Sequence, residues 1–91
     1  MKQARVKVAW DRRFPMRATI QMVQLARRFR SRILFRAGAQ LADAQSILGI
    51  LILASSLVSY MDVEVSGDDE QEAVQAMVEH FDRHQPPGQS A

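Results

Sequence analysis

Residues 45–54 read Gln-Ser-Ile-Leu-Gly-Ile-Leu-Ile-Leu-Ala, and no polar side chain follows Ser46 in this stretch. A short apolar run fits a buried strand as well as a helix. A serine at its head suits a helix N-cap, and Ala54-Ser55-Ser56 behind it also favours a short helix. A helix that is apolar on every face cannot be enclosed by a chain of 91 residues. Part of its surface must therefore face solvent or a partner.

Around this helix, alternation of apolar and polar residues predicts four strands. In the first, Ala4, Val6, Val8 and Trp10 alternate with residues that include Arg5 and Lys7. The second strand covers 31–36, the turn Ala37-Gly38 follows, and 39–42 forms the other arm of a hairpin. The fourth strand carries Met61, Val63 and Val65.

Apolar residues at helical spacing predict two further helices. The first begins at Pro15 or Met16, and the three arginines of 27–30 are expected in its last turn, where cations favour the carbonyl end. Its apolar stripe consists of Thr19, Met22, Val23, Ala26 and Phe29. The last helix follows the turn 66–70, and its stripe consists of Ala73, Val74, Met77, Val78 and Phe81. The order β-α-β-β-α-β-α predicts a two-layer α+β domain over 1–84, followed by a flexible tail over 85–91.

Composition narrows the function. The chain has no cysteine, which excludes disulfides and cysteine-based chemistry. It also lacks a metal-ligand cluster, a catalytic Ser/His/Asp set and a phosphate-binding glycine loop, so we expect no metal, no cofactor and no enzyme activity. The apolar run is far shorter than the roughly 20 residues of a membrane span, and the start does not resemble a signal peptide. We therefore expect a cytoplasmic protein.

The net charge of +2 conceals an asymmetry between the two halves of the chain. Residues 1–45 hold eleven Lys/Arg and two Asp, a balance of +9, whereas 46–91 hold Arg83 and eight Asp/Glu, a balance of −7. Such asymmetry can mark a nucleic-acid surface, or the halves can be interleaved in one compact fold. No aromatic residues alternate with the arginines as a single-strand platform would require, which favours the interleaved halves.

From about Val6 to Phe81 the chain resembles HPr, the histidine-containing phosphocarrier of the bacterial sugar phosphotransferase system. The strongest pieces are Ala18-Thr19 through Val23-Gln24, Ser46-Ile47-Leu48-Gly49-Ile50, and Ser66-Gly67-Asp68-Asp69-Glu70. The resemblance implies an open-faced β-sandwich, in which four antiparallel strands carry three helices on one face. It agrees with the order of elements predicted above.

The family's phosphohistidine lies just before the first helix, and there the chain departs from the pattern. Pro15 stands at the histidine position, and Arg17 keeps the arginine that would neighbour the phosphoryl group. Proline has no nucleophilic atom, so the resemblance implies a protein that cannot carry phosphate on histidine. His80 and His84 are expected to be surface residues that do not replace it.

Ser46 has two interpretations. In one branch of the family, HPr kinase/phosphorylase phosphorylates the serine at this position, and the product binds a regulatory protein. The resemblance therefore implies a regulatory phosphorylation site at Ser46, although Gln45 stands where a lysine is common. Alternatively, the serine is only an N-cap, which stabilises a helix by about 1 kcal/mol. Both roles are compatible, because a phosphate at a helix N-terminus is itself favourable.

The family docks partners on its first two helices, which implies a protein-binding surface here. The matching positions are Ile20, Gln24, Ile47, Leu48 and Leu51, with Arg17 and Arg27 at the rim. Alternatively, Ile20, Leu48 and Ile52 bury against a second copy in a homodimer. Three hypotheses follow: a regulatory protein-binding module, a passive module that docks phosphotransferase-system enzymes, and a weak nucleic-acid binder acting through the Arg-rich half.

Overall fold

The computed structural model describes residues 1–8, 15–55 and 60–83. The elements follow the predicted order, and the apolar run at 47–54 is helical. The strands are β1 (Lys2–Lys7), β2 (Arg32–Ala37), β3 (Gln40–Asp43) and β4 (Tyr60–Ser66), and the helices are α1 (Pro15–Ala26), α2 (Ile47–Ser55) and α3 (Glu70–Arg83). Trp10, His84 and the tail beyond it lie outside the described residues, as does the predicted domain boundary at 84.

The four strands form one antiparallel sheet in the order β1-β4-β2-β3. Register places Phe35 of β2 opposite Val63 of β4 on one side and Ala42 of β3 on the other. Because side chains alternate between the two faces of a strand, all three point to the same face. That face is the buried one, since Phe35, Val63 and Ala42 have almost no exposed surface.

The helices cover this buried face and leave the other face open. α1 packs on α2, α2 packs on β3, and α3 packs on β1 and β4. The Phe35 ring meets the Phe81 ring of α3 edge-on at a centroid distance of 6.1 Å. The apolar stripes predicted for α1 and α3 are buried, with Phe29 and Val78 only partly so. The open-faced α+β architecture is therefore confirmed.

The open face of the sheet carries ion pairs between the two halves of the sequence. Arg5 Nε lies 3.0 Å from Asp62 Oδ1, and Arg36 Nε lies 2.7 Å from Glu64 Oε2. β4, from the acidic half, is inserted between β1 and β2 from the basic half. The charge asymmetry along the sequence is thus partly neutralised in space by interleaving.

One prediction about α1 is wrong. The helix ends at Ala26, so Arg27, Arg28 and Arg30 lie beyond its last turn rather than within it. After Val23 the backbone hydrogen bonds change from i→i−4 to i→i−3, with Arg28 N–H donating to Leu25 O at 3.1 Å. The polypeptide then turns into β2, because Arg30 and Ser31 are held by contacts with the start of α3.

Asp69 makes those contacts. Its carboxylate accepts hydrogen bonds from the backbone N–H groups of Arg30 and Ser31, both at 2.9 Å, and from Ser31 Oγ at 2.5 Å. Its backbone carbonyl accepts the Ala73 N–H at 2.9 Å, which places Asp69 at the N-cap of α3. The hydrogen bond from the Ser31 hydroxyl, followed by the one from Arg30 N–H, lowers the pKa of Asp69. One side chain thereby joins the α1–β2 turn to the start of α3.

Candidate protein-binding site

Ser46 is the N-cap residue of α2. Its Oγ accepts the Gly49 N–H at 3.1 Å, and its carbonyl accepts the Ile50 N–H at 3.0 Å. The first bond satisfies an amide that would otherwise lack a partner in the first turn, and the second is the first i→i−4 bond of the helix. The Ser46 side chain is only half-buried, so its hydroxyl is capped and also reachable from solvent.

Asp43 positions the residues that precede α2. Its carboxylate accepts the Gln45 N–H at 2.9 Å, and its carbonyl accepts the Ser46 N–H at 2.9 Å. β3 therefore passes through a short turn directly into the cap. Because Asp43 belongs to β3, the position of Ser46 is fixed by the sheet.

α2 buries one side and exposes the other. Ile50 and Leu53 are buried, as their spacing from the cap predicts. Leu48 is 70% exposed, and Ile47 is 41% exposed. Leu51 was expected on the exposed side but is half-buried.

Sequence reasoning about the partner surface left out Met16, which is exposed in the first turn of α1, and placed Ile52 only in a homodimer contact. Ile52 is 53% exposed. The signal was present in the sequence, because Ile52 follows Leu48 by four residues and therefore shares its face. Met16 gives a comparable signal, since it precedes Ile20 by four residues and therefore shares its face of α1.

α1 contributes the other part of the exposed surface. Ile20 is 41% exposed, and Gln24, one turn further on, is also exposed. Arg17 and Arg27 lie at either end of this stripe and are exposed. We call the combined surface of Ile20, Gln24, Ile47 and Leu48 the α1–α2 patch. Neither helix contains an acidic residue, and the two residues assigned to the rim, Arg17 and Arg27, are both cationic.

Pro15 is the first residue of α1. Proline suits this position, because its fixed φ fits a helix and the first N–H has no intrahelical partner anyway. His80 lies on α3. Its ring meets the Phe81 ring edge-on at 5.7 Å and the residue is half-buried, so His80 is less exposed than the sequence suggested.

Within the ranges 1–8, 15–55 and 60–83, no group of three or more His, Cys, Asp or Glu side chains could hold a metal ion. None of the described helices is long and apolar enough to cross a membrane. The arrangement therefore consists of a capped hydroxyl beside an apolar surface with a cationic rim. Such a surface has the composition of a protein interface.

Comparison with known proteins agrees with this geometry. The family described as "PTS HPr component phosphorylation site" matches residues 2–83. The chain is 37% identical over 62 residues to phosphocarrier protein HPr of Cupriavidus necator, covering 68% of this chain and 70% of that protein. It is 30% identical over 83 residues to the HPr-like protein Crh of Halalkalibacterium halodurans, covering 91% and 99%.

The fold gives the same answer. The crystal structure of HPr-C-His from Thermoanaerobacter tengcongensis superposes with a TM-score of 0.80 at 29% sequence identity, covering 90% of this chain and 92% of that chain. The matched segment runs from β1 through α3, so it includes both helices of the patch. The chain therefore belongs to the HPr family of the phosphotransferase system.

Proposed function

We propose that this protein is a regulatory, protein-binding member of the HPr family that does not carry phosphate on histidine. The observation that carries the proposal is Pro15 at the start of α1, at the position where the family resemblance puts the phosphohistidine. The family consists of phosphocarriers rather than enzymes, and a carrier needs a nucleophilic atom. Pro15 has none, whereas the surface around it remains suited to binding.

The α1–α2 patch would bind the partner. Ile20, Ile47 and Leu48 supply exposed apolar area, and the removal of such area from water favours association. Arg17 and Arg27 would contact acidic groups at the border and fix the orientation of the complex. The partner is a regulatory protein or an enzyme of the phosphotransferase system, met in the cytoplasm.

The charge of the patch supports a different protein as the partner rather than a second copy. In a two-fold contact the same surface of each copy faces the other, so that surface must be complementary to itself in shape and charge. The rim residues of the patch, Arg17 and Arg27, are cations, α1 and α2 contain no acid, and two such faces would bring like charges together. An unlike partner with acidic groups suits this face better.

Ser46 would regulate the binding. Phosphorylation adds about −1.5 to −2 charges at pH 7. At the N-cap of α2 these charges would lie beside the first amides of the helix, among them the Gly49 N–H that now binds Oγ, so the helix would keep its start. Leu48 lies two residues away and is the most exposed part of the patch. A partner on the patch would therefore detect the charge without a refolding step.

Two experiments test the proposal. The protein is incubated with an HPr kinase/phosphorylase and ATP, and the phosphate is located by mass spectrometry, with Ser46→Ala as the control. Phosphate on Ser46 supports the regulatory site. If the same kinase phosphorylates another HPr but leaves Ser46 unmodified, the regulatory site is ruled out.

In the second experiment the wild-type protein is incubated with the first enzyme of the phosphotransferase system and phosphoenolpyruvate. We expect no phosphohistidine to form on it.

The runner-up is a passive docking module that occupies phosphotransferase-system enzymes without transfer. It predicts that the protein binds the first enzyme of the system in a calorimetric titration and that Leu48→Asp abolishes the heat. Binding that is unaffected by Ser46 phosphorylation would favour this module over the regulatory one. The absence of any binding to that enzyme would remove it.

A further inference from the structure

The two edges of the sheet differ in how they are protected. β1 forms one edge and carries Lys2, Arg5 and Lys7, all exposed. β3 forms the other edge, where 40–42 carries no charge and Leu41 is 52% exposed. Charged side chains on an edge strand discourage pairing with another chain, whereas an exposed apolar edge promotes it. β1 is thus a protected edge, and β3 is not.

An apolar groove lies beside the unprotected edge. It runs between β3 and α2 and has a volume of about 180 Å³. Its lining consists of Gln40, Leu41, Ala42, Gly49, Ile52 and Leu53, none of them charged. Ile52, at 53% exposed, offers aliphatic surface on the helix side of the sheet, and Leu41 offers it at the edge strand itself.

We propose that β3 pairs with β3 of a second copy, antiparallel about a two-fold axis at Leu41, to form a continuous eight-stranded sheet. The contact goes beyond the proposed function, because it uses Leu41 and Ile52 rather than the α1–α2 patch. In this register Leu41 faces its equivalent, and Gln40 of one copy lies opposite Ala42 of the other. Residues opposite each other in an antiparallel pair point to the same face of the sheet. The open faces of the two copies therefore lie on the same side of the eight-stranded sheet.

Charge favours a second copy as the occupant. Self-pairing about Leu41 places no like charges opposite each other, because Asp43 falls opposite Ala39 of the other copy. Arg36, the neighbour of Leu41 across β2, already binds Glu64 at 2.7 Å and therefore brings no free cation to the contact. A two-fold contact uses the β3 edge of both copies and leaves neither β3 edge free, so assembly through this edge closes at two copies.

The contact is small. β3 has four residues, and only Leu41 and Ile52 add exposed aliphatic side chains of any size. Interfaces below about 1,200 Å² are characteristic of weak, rapidly exchanging complexes. The dimer should therefore appear only at high protein concentration and should dissociate on dilution.

Sedimentation equilibrium of the full chain, carried to about 1 mM because small interfaces are weak, tests the dimer. We expect a monomer–dimer equilibrium that Leu41→Lys weakens at least tenfold. Ile47→Lys is the matched control, since Ile47 is a similarly exposed aliphatic residue on the α1–α2 patch. A monomer at every concentration, or a dimer weakened by Ile47→Lys and not by Leu41→Lys, overturns the proposal. Partner binding is measured separately and should survive Leu41→Lys.

A cysteine experiment gives the register. The chain has no cysteine, so Leu41→Cys introduces a single thiol. Facing residues of an antiparallel pair have Cα atoms about 4.5–5.5 Å apart, which is within the range of a disulfide. Oxidation should link Leu41→Cys into a dimer at least ten times faster than Gln3→Cys, the control on the protected edge β1. Equal rates for the two variants overturn the register.

Discussion

At the scale of single residues, Ser46 shows how one side chain can serve both folding and regulation. Its Oγ holds the Gly49 N–H, so the hydroxyl is part of the start of α2 before any kinase acts on it. A substitution at Ser46 therefore tests two roles together. The capping role and the regulatory role can be separated only by a replacement that still accepts the Gly49 N–H hydrogen bond.

We expect Ser46→Ala to lower the free energy of unfolding by about 1 kcal/mol, since alanine cannot cap the helix. Ser46→Asp should stay within a few tenths of wild type, because aspartate is as good an N-cap and its charge suits the helix N-terminus. Urea unfolding measures both, with exposed Gln45→Ala as the control. Equal losses in the two Ser46 variants would contradict the capping role.

Asp69 predicts a pH dependence. Its pKa is lowered in the folded protein, so its contribution to stability is complete above the unfolded value of about 3.9. The contribution is lost as the pH falls through the folded pKa. Asp69→Asn should therefore be less stable than wild type at neutral pH, and the difference should narrow below about pH 4. Urea midpoints across the pH range measure this, with exposed Asp68→Asn as the control for the loss of one carboxylate from the same turn.

At the scale of elements, the turn between β4 and α3 depends on a missing side chain. Gly67 has a φ of 149°, and a Cβ there would lie 2.7 Å from Ser31 Cα. That neighbour is backbone held by Asp69, so it cannot move aside. The close approach of this turn to the α1–β2 turn thus requires glycine.

Gly67→Ala should lower the free energy of unfolding by more than about 2 kcal/mol, through backbone strain and overlap together. Gly38→Ala is the matched control, because Gly38 also has a positive φ, 61°, but a Cβ there meets nothing within 4 Å. It should cost about 1 kcal/mol. Thermal or urea unfolding compares the two, and similar losses would show that overlap with Ser31 contributes little.

The elements also show what the sequence could predict. Alternation and helical spacing indicated most of the seven elements, because each of these buries one face and its apolar residues recur at the matching period. α2 is apolar on every face and was assigned to a helix from its serine cap and from the Ala54-Ser55-Ser56 stretch that follows it. The end of α1 was misplaced, since the arginines at 27–30 are good helix formers and the contacts with Asp69 that turn the chain come from a residue 38 positions away. The partial burial of Leu51 was not expected, because it depends on contacts between elements, which spacing within one helix does not contain.

At the scale of the whole molecule, the basic and acidic halves attract each other across the sheet, but weakly. The pairs Arg5–Asp62 and Arg36–Glu64 lie on its open face, in contact with water. Exposed ion pairs contribute little, because water screens the charges and the side chains lose conformational freedom. The ion pairs between the two halves therefore favour the observed register of the strands more than they raise the free energy of unfolding.

A double-mutant cycle with Arg36→Gln and Glu64→Gln measures this contribution. We expect a coupling free energy of about 0.2–1 kcal/mol that shrinks with added salt. Arg32 and Asp43, whose closest approach is 4.0 Å, form the control pair and should show no measurable coupling. A coupling of several kcal/mol for Arg36 and Glu64 would mean that the open face is far less hydrated than its exposure indicates.

The strand order has a consequence for how the molecule is made. Among the described strands β1 pairs with β4 alone, with Lys2 opposite Val65, so roughly 60 residues must be synthesised between the two partners. At about 5–20 residues per second, β1 waits several seconds outside the ribosome before it can pair. The cations that protect it as an edge also keep it soluble during that wait. β4 is the last strand to be synthesised, and it lies between β1 and the hairpin of β2 and β3. The four-stranded sheet can therefore form only after β4 has been made, when the hairpin is already available for pairing.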